Sequence, residues 1–439
     1  MTARLFRLVD NAQLVVFRVF LGALLSIECF GAIATGWVKA NLIDPKFTFS
    51  YIGFEWLQPL PGYGMYVYFT LMGTLALLVM LGYRYRWSLS LFTLMWTGAY
   101  LMQKSSYNNH YYLLIVVCVM MLFLPAAGDA SLDARRKSTR TIQMPQWCSW
   151  VLIAQITIVY FFAAISKCYP HWLDGTFVQI ALHSASVKMH LPWLSERWFA
   201  IAISWGGLFF DALVIPLFLW RRTRTVALAA SLLFHTFNAI FLQIGIFPFF
   251  ALSFVVFFYP PEKIRSWFLR WPAPVPVAEP SLSRRTLYGF FMPFLLVQLL
   301  LPVRHWFIEG DVLWTEEGHR LSWRMMLRQR IGHLEFHVRE NGQEIPYDYR
   351  AELTPKQQQF VASKPDGIWQ MAQHIHDVFE KKGRDVRVYA DCRVSINGQP
   401  DAVLIDPTVD LAHTPWDPFR HNTWVTPYPY RHQHAFNFR

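Results

Sequence analysis

Lys167 ends the run Gln155-Ile156-Thr157-Ile158-Val159-Tyr160-Phe161-Phe162-Ala163-Ala164-Ile165-Ser166, a single amine closing a segment whose other residues suit lipid. An ammonium beside hydrocarbon is costly, so this lysine must snorkel into the headgroups, find a partner or lose its proton. The last outcome makes a general base, because desolvation can carry a lysine from ~10.4 towards ~7. Lys104-Ser105-Ser106-Tyr107-Asn108-Asn109-His110 puts two amides and an imidazole at the mouth of another apolar segment. That exceeds what a polar turn needs, and His110 can donate to an oxyanion or hold a neighbouring amine. His235 and Asn238, three residues apart, share one helix face, where interhelical hydrogen bonding competes with a role in chemistry. Ser322-Trp323-Arg324-Met325-Met326-Leu327-Arg328-Gln329-Arg330 reads either as an interfacial anchor or as a carboxylate site, with arginines as bidentate donors and Trp323 and the methionines as walls.

The elements that must position these groups follow from composition. With 54% hydrophobic and 16% charged residues in 439, the chain is too apolar for an ordinary soluble protein. Apolar segments at roughly 12–33, 64–81, 88–101, 110–127, 148–166, 198–219, 226–243, 245–259 and 287–303 predict about nine transmembrane helices. Several are shorter than the ~20 residues of a perpendicular crossing, so half-buried or re-entrant segments fit within this count. The expected fold is a membrane all-α helical bundle over residues 1–303, followed by an extracytoplasmic α/β domain over 304–439. In that second part His333–Arg339 alternates with period two into Asn341-Gly342, a hairpin signal. Residues 366–382 read as an amphipathic helix stopped by Gly383, and 386–396 as a strand ending at Asn397-Gly398.

Basic residues alternate between loops. Arg4, Arg84, Arg135, Arg221, Lys263 and their neighbours make a set of 16, against 6 in the intervening loops, so the N-terminus is expected in the cytoplasm and the C-terminal domain outside it. The net charge of +11 is accounted for by this topology and by anionic lipid, which removes the reason to expect nucleic acid as a partner. The first apolar segment lacks a small-residue cleavage pattern and reads as a retained span. Five cysteines without paired spacing imply neither a disulfide framework nor a zinc site, and His374 and His376 fall on different faces of their helix, a poor metal pair. The Pro-rich connector Trp271–Pro276 reads as an extended cytoplasmic loop, and Arg431–His434 as a flexible end.

The clusters, taken in order, resemble the vitamin K-dependent γ-glutamyl carboxylase family, including its shorter microbial relatives built on the HTTM membrane domain. The likeness is carried by Gln58-Pro59-Leu60-Pro61, the Lys104–His110 block, Gln155–Phe161, Lys167 with Trp172 and Gly175, Phe234-His235 with Asn238, and Ile244–Pro248. It continues through Ser322-Trp323 with Met325-Met326, Val394–Asn397, and Asp406-Pro407 to Trp416, Pro418-Phe419-Arg420 and Trp424-Val425.

The resemblance implies a lyase-type reaction. Vitamin K hydroquinone, or menaquinol in its place, is deprotonated by a lysine that aligns with Lys167. The anion adds O2 and rearranges to a strongly basic alkoxide, which takes a γ-proton from a peptide glutamate, and the carbanion captures CO2. His110 aligns with the family's candidate for the carbanion step, with Asn109, His235 and Asn238 as supporting polar groups. Ser322, Trp323, Met325, Met326, Arg330 and Arg420 are the expected substrate contacts, and no metal is expected. The partners implied are the lipid bilayer, a glutamate-bearing peptide or protein, and a quinone reductase that recycles the cofactor. Arg324 and Arg328 stand where the animal enzyme has an aspartate and a histidine, and the chain stops soon after Arg420, which leaves propeptide-directed carboxylation open. A quinol epoxidase that does not carboxylate protein, or a non-catalytic quinone- or lipid-binding protein, are the alternatives.

Overall fold

A computed structural model describes residues 2–137, 140–269 and 284–430. The Trp271–Pro276 connector and the Arg431–His434 end lie outside the described residues. Each expected span is helical, yet six rather than nine helices are long and apolar enough to cross a membrane: Ala12–Ala34, Gly64–Leu81, Trp147–Ser166, Arg197–Leu219, Arg224–Leu242 and Arg284–Phe307. Asn109–Leu122, at 14 residues, reaches only about 21 Å along its axis, short of the ~30 Å hydrocarbon core. Phe247–Phe258 is shorter still, and Tyr85–Met102 has the length but carries Arg86, Ser88, Ser90, Thr93 and Thr97. The expected count of nine crossings is not confirmed: six helices among the described residues have the length and composition of a span. A further helix, Thr176–Met189, was not among the expected segments.

Small residues let the first two spans approach closely. A Cβ on Gly22 would lie 2.4 Å from the Met80 backbone nitrogen, so any larger residue there forces these helices apart. One end of the bundle is closed by a two-stranded ribbon, β1 (Leu8–Asp10) against β2 (Gln143–Pro145). Arg265 clamps it by donating to Asp10 at 2.5 and 2.8 Å and to Asp129 at 2.8 Å.

At the other end sits the C-terminal domain, built on an antiparallel sheet in the order β4-β3-β5-β6, with β3 Arg330–Glu340, β4 Gln343–Ile345, β5 Arg387–Ile396 and β6 Ala402–Val403. Asn341 and Gly342 both take positive φ, 51° and 82°, as the predicted two-residue hairpin turn requires. The helix Pro365–Glu380 turns Ile368, Met371 and Ile375 inward against Val388 and Ala390, and Gly383 at φ 71° follows its end. Phe49 from the loop after the first span shares this core, so the domain is docked on the bundle. Buried polar contacts hold the seam: Asp366 accepts from Lys104 at 2.5 Å and from Arg320 at 2.8 Å, and Gln370 Nε2 donates to the Ser50 carbonyl at 2.9 Å.

Candidate functional site

The seam encloses two adjoining cavities that share Gln243, His319, Arg324 and Met326. The first, about 490 Å³, is walled by Tyr111, Leu114, Ile244, Ile246, Phe247 and Phe250, with His110 and Asn109 at its polar side. Asn108 caps the Asn109–Leu122 helix by accepting from the Tyr111 backbone N–H at 2.8 Å, which fixes where His110 emerges. The His110 ring then stacks on Phe247, with centroids 3.8 Å apart. Asn109 Nδ2 donates to the Arg324 carbonyl at 3.2 Å, and the Tyr107 hydroxyl accepts from the Leu321 N–H at 2.9 Å. The Asn-Asn-His block therefore tethers the 321–326 segment of the C-terminal domain.

That segment is held under strain. Leu321, Trp323 and Met326 have φ of 61°, 55° and 52°, a region costing side-chain-bearing residues on the order of 1–3 kcal/mol each. Burial of Trp323 on Tyr112, with centroids 5.1 Å apart, offsets part of that cost. Met325 and Met326 face the first cavity, whereas Trp323 and Ser322 stand behind its wall, Ser322 donating to the Gly318 carbonyl at 2.6 Å.

The second cavity, about 700 Å³, is lined by Lys188, Arg324, Arg328, Arg330, Lys356 and Lys364, with no acidic lining residue among those described. Glu316 sits behind it and binds Arg328 at 2.5 Å, Lys364 at 2.9 Å and Arg330 at 3.6 Å. Burial alone would raise the Glu316 carboxyl, but Arg328 and Lys364 outweigh it and hold it well below the usual range. Burial pushes Lys364 down to about 7 against the pull of Glu316, and Arg324 down to about 10, with Arg328 adding to the effect. Among the described residues Arg324 has no ion-pair partner, and its Nε has no hydrogen-bond partner. Arg330 is largely used up, since it donates to the carbonyls of Leu313, Trp314 and Ser363 at 2.7 to 2.9 Å.

Lys167 lines neither cavity. It caps the Trp147–Ser166 helix, and its amine is bound to Asp211 of the Arg197–Leu219 span, 5.2 Å from the Trp172 ring centroid. Of the three ways out open to the lysine, the structure shows the partner. On the same helix that Lys167 closes, the Tyr160 hydroxyl is 3.1 Å from His235 Nε2. His235 and His110 pack against the same Phe247 ring.

The structure thus gathers His110, Asn109, Met325, Met326 and Arg330 at the seam. His235 and Asn238 are buried in and just after the Arg224–Phe237 helix, one layer behind it. Arg420 lies apart, exposed on the turn held by Asp417, and lines neither cavity. Sequence reasoning missed Asp211, Glu316 and Lys364. Asp211 left a signal, a lone carboxylate inside an apolar span, which demands a partner. Glu316 and Lys364 left none, because acidic and basic residues abound in that polar region.

These features define a multi-pass membrane protein whose helical bundle carries a docked, strand-containing domain. Residues 6–263 match the HTTM domain, and residues 283–431 match the vitamin K-dependent gamma-carboxylase, lumenal domain. The chain belongs to the vitamin K-dependent γ-glutamyl carboxylase family. Membership supports a carboxylase-like role with vitamin K as cofactor and an extracytoplasmic C-terminal domain. No solved structure matches the chain.

Proposed function

We propose that this protein couples oxygenation of a reduced quinone to addition of CO2 at the γ-carbon of a peptide glutamate. The observation that carries this reading is the pair of joined cavities, one walled mainly by aromatic and aliphatic side chains, the other carrying six lysines and arginines and no acidic side chain among the described residues. The first suits a flat quinone ring, its volume falling within the ~300–1,000 Å³ of small-molecule sites, with Phe247, Phe250 and Tyr111 as walls. Bound there, the hydroquinone supplies the electrons by which O2 yields a base stronger than any side chain. The second suits a carboxylate, with Arg324, whose Nη1 lies 3.4 Å from His305 Nε2 and which has no counterion among the described residues, as the bidentate donor and Lys364 and Lys188 alongside. His110 lines the first cavity and is placed to donate to charge developing there.

In this reading Lys167 takes the quinol proton, for which its amine must first be neutral. Transfer of one proton from the ammonium to Asp211 leaves an amine and a carboxylic acid, so neither charge remains in the apolar interior. On the helix that Lys167 closes, Tyr160 hydrogen-bonds His235, which packs on the Phe247 ring of the cavity wall. One observation favours a rival amine: Lys364 lines the cation cavity and is already pushed down to about 7 by burial. The charge bias of the loops supports an N-terminus in the cytoplasm, with the seam on the opposite side of the membrane, and the oxidised quinone would return through a separate reductase.

The test is purified protein in lipid with vitamin K hydroquinone, O2, labelled bicarbonate and a glutamate peptide. Acid-stable label in the peptide together with epoxide supports the proposal. Epoxide without label reduces the protein to a quinol epoxidase, and bound quinone with neither product leaves a binding protein. Loss of epoxide in Lys364→Met but not in Lys167→Ala would transfer the base to Lys364.

A further inference from the structure

We propose that His376, Asp385 and His413 form a binding site for a zinc-type divalent cation on the C-terminal domain, separate from the seam. None of the three lines either cavity. Nε2 of His376 and Nε2 of His413 lie 3.3 and 3.4 Å from the same oxygen, Oδ1 of Asp385. Those separations are long for charge-assisted hydrogen bonds, which run ~2.7–2.9 Å. They equal the edge of a tetrahedron of ligands at ~2.0–2.1 Å from a central ion, which is about 3.3–3.4 Å. The three donor atoms all fall within 4.8 Å of one another.

A second observation concerns how His413 is held. Its Nδ1 is 2.7 Å from Asp410 Oδ2, so with the proton on Nδ1 the Nε2 lone pair is presented to the cluster. Asp410 is itself fixed, because its Oδ1 accepts from the backbone N–H of Val388 at 2.9 Å and of Ala412 at 3.1 Å. A carboxylate that orients a histidine in this way is the usual outer support of a metal ligand. The rings of His376 and His413 meet edge to face at 5.0 Å, which turns both nitrogens towards one point without stacking. Asp385 is 81% exposed, so the fourth position is open to water.

The placement gives the ion a task. His376 belongs to the last turns of Pro365–Glu380, Asp385 to the segment entering β5, and His413 to the turn beyond β6. A bound cation would staple the end of that helix to two loops. Because it binds the folded state alone, it would raise the unfolding temperature in proportion to saturation. The reaction at the seam does not involve it, so failure of this inference leaves the proposed function untouched, and the reverse also holds.

Tag-free full-length protein in detergent, stripped of metal, is titrated with Co2+ and then with Zn2+. The expected result is one equivalent of Co2+ per chain with the intense visible absorption of tetrahedral coordination, displaced by Zn2+. His376→Ala and His413→Ala should lose that absorption, and Asp410→Asn should weaken binding by about 10–100-fold. Metal-free unfolding temperatures of the variants, unchanged from the parent, exclude misfolding as the cause. No tetrahedral signal in the parent protein, or an undiminished signal in either histidine variant, would overturn the site and leave an exposed ion-pair cluster.

Discussion

Two buried lysines stand at the ends of apolar helices in this protein, each against an aspartate, and their surroundings differ. Lys104, 2% exposed, meets Asp366 at the seam, where the same carboxylate also takes two hydrogen bonds from Arg320 at 2.8 and 3.3 Å. Lys167, 7% exposed, meets Asp211 within the bundle, and no second cation binds that carboxylate among the described residues. Burial alone would raise the Asp366 carboxyl, yet Arg320 and Lys104 hold it well below the usual range. Burial still pushes Lys104 down to about 8. With two cations on one anion, moving a proton to Asp366 would leave Arg320 charged and uncompensated, so the seam cluster is a fixed structural joint. With one cation on one anion, a single proton transfer discharges both members, so the bundle pair can deliver a neutral amine without leaving a charge behind. Burial by itself does not make a lysine a base; the stoichiometry of its partners decides.

That contrast can be broken most severely at Lys167. Lys167→Ala is expected to lower epoxide formation by roughly 10²–10⁴-fold, the range of a lost general base, with partial recovery on adding a small primary amine. Full epoxidation by this variant sinks the assignment. Next in size is a stability effect at the other lysine: Asp366→Asn strands Lys104 and Arg320 and should cost about 3–5 kcal/mol in denaturant unfolding. Asp211→Asn should cost distinctly less, because the lone amine can shed its proton, while activity falls and Asp211→Glu restores part of it. Equal stability losses in the two asparagine variants would erase the difference between the pairs.

Acid provides a graded version of the same test. Asp366 and Glu316 both lie below their ordinary values of 3.8 and 4.5 in the folded protein. Their contribution to stability is therefore fully present above those values and is lost as pH falls through the depressed folded ones. Unfolding followed between pH 5 and 2 should show a steep loss in the parent that Asp366→Asn flattens. The smallest effect is expected in the cation cavity, where Arg324→Gln should raise the KM for a glutamate peptide about tenfold, or ~1.4 kcal/mol.

Much of the scaffold was legible from local rules. Asn341-Gly342 announced the hairpin between β3 and β4, and the apolar runs announced the helices of the bundle apart from Thr176–Met189. The number of crossings was not legible, because hydropathy windows do not tell a short helix packed among others from one that meets lipid, as the short apolar helices Asn109–Leu122 and Phe247–Phe258 show. The pairing of β5 with β3 joins strands separated by the helix Pro365–Glu380 and left no local mark. The same gap explains His376, whose sequence neighbour His374 instead binds Glu352 at 2.7 Å while His413, far along the chain, turns towards it.

The sequence by itself determined the membrane class, the apolar segments, the charge asymmetry of the loops and the family, because these depend on composition and on short motifs. The tertiary structure alone decided which charges are neutralised and which remain open to a substrate. Lys167 found Asp211 across 44 positions, and Glu316 drew in Arg328, Arg330 and Lys364, leaving Arg324 without a counterion beside His110. The physical reason is that electrostatic compensation falls off over a few ångströms, and separations of that size between remote segments exist only once the chain has folded.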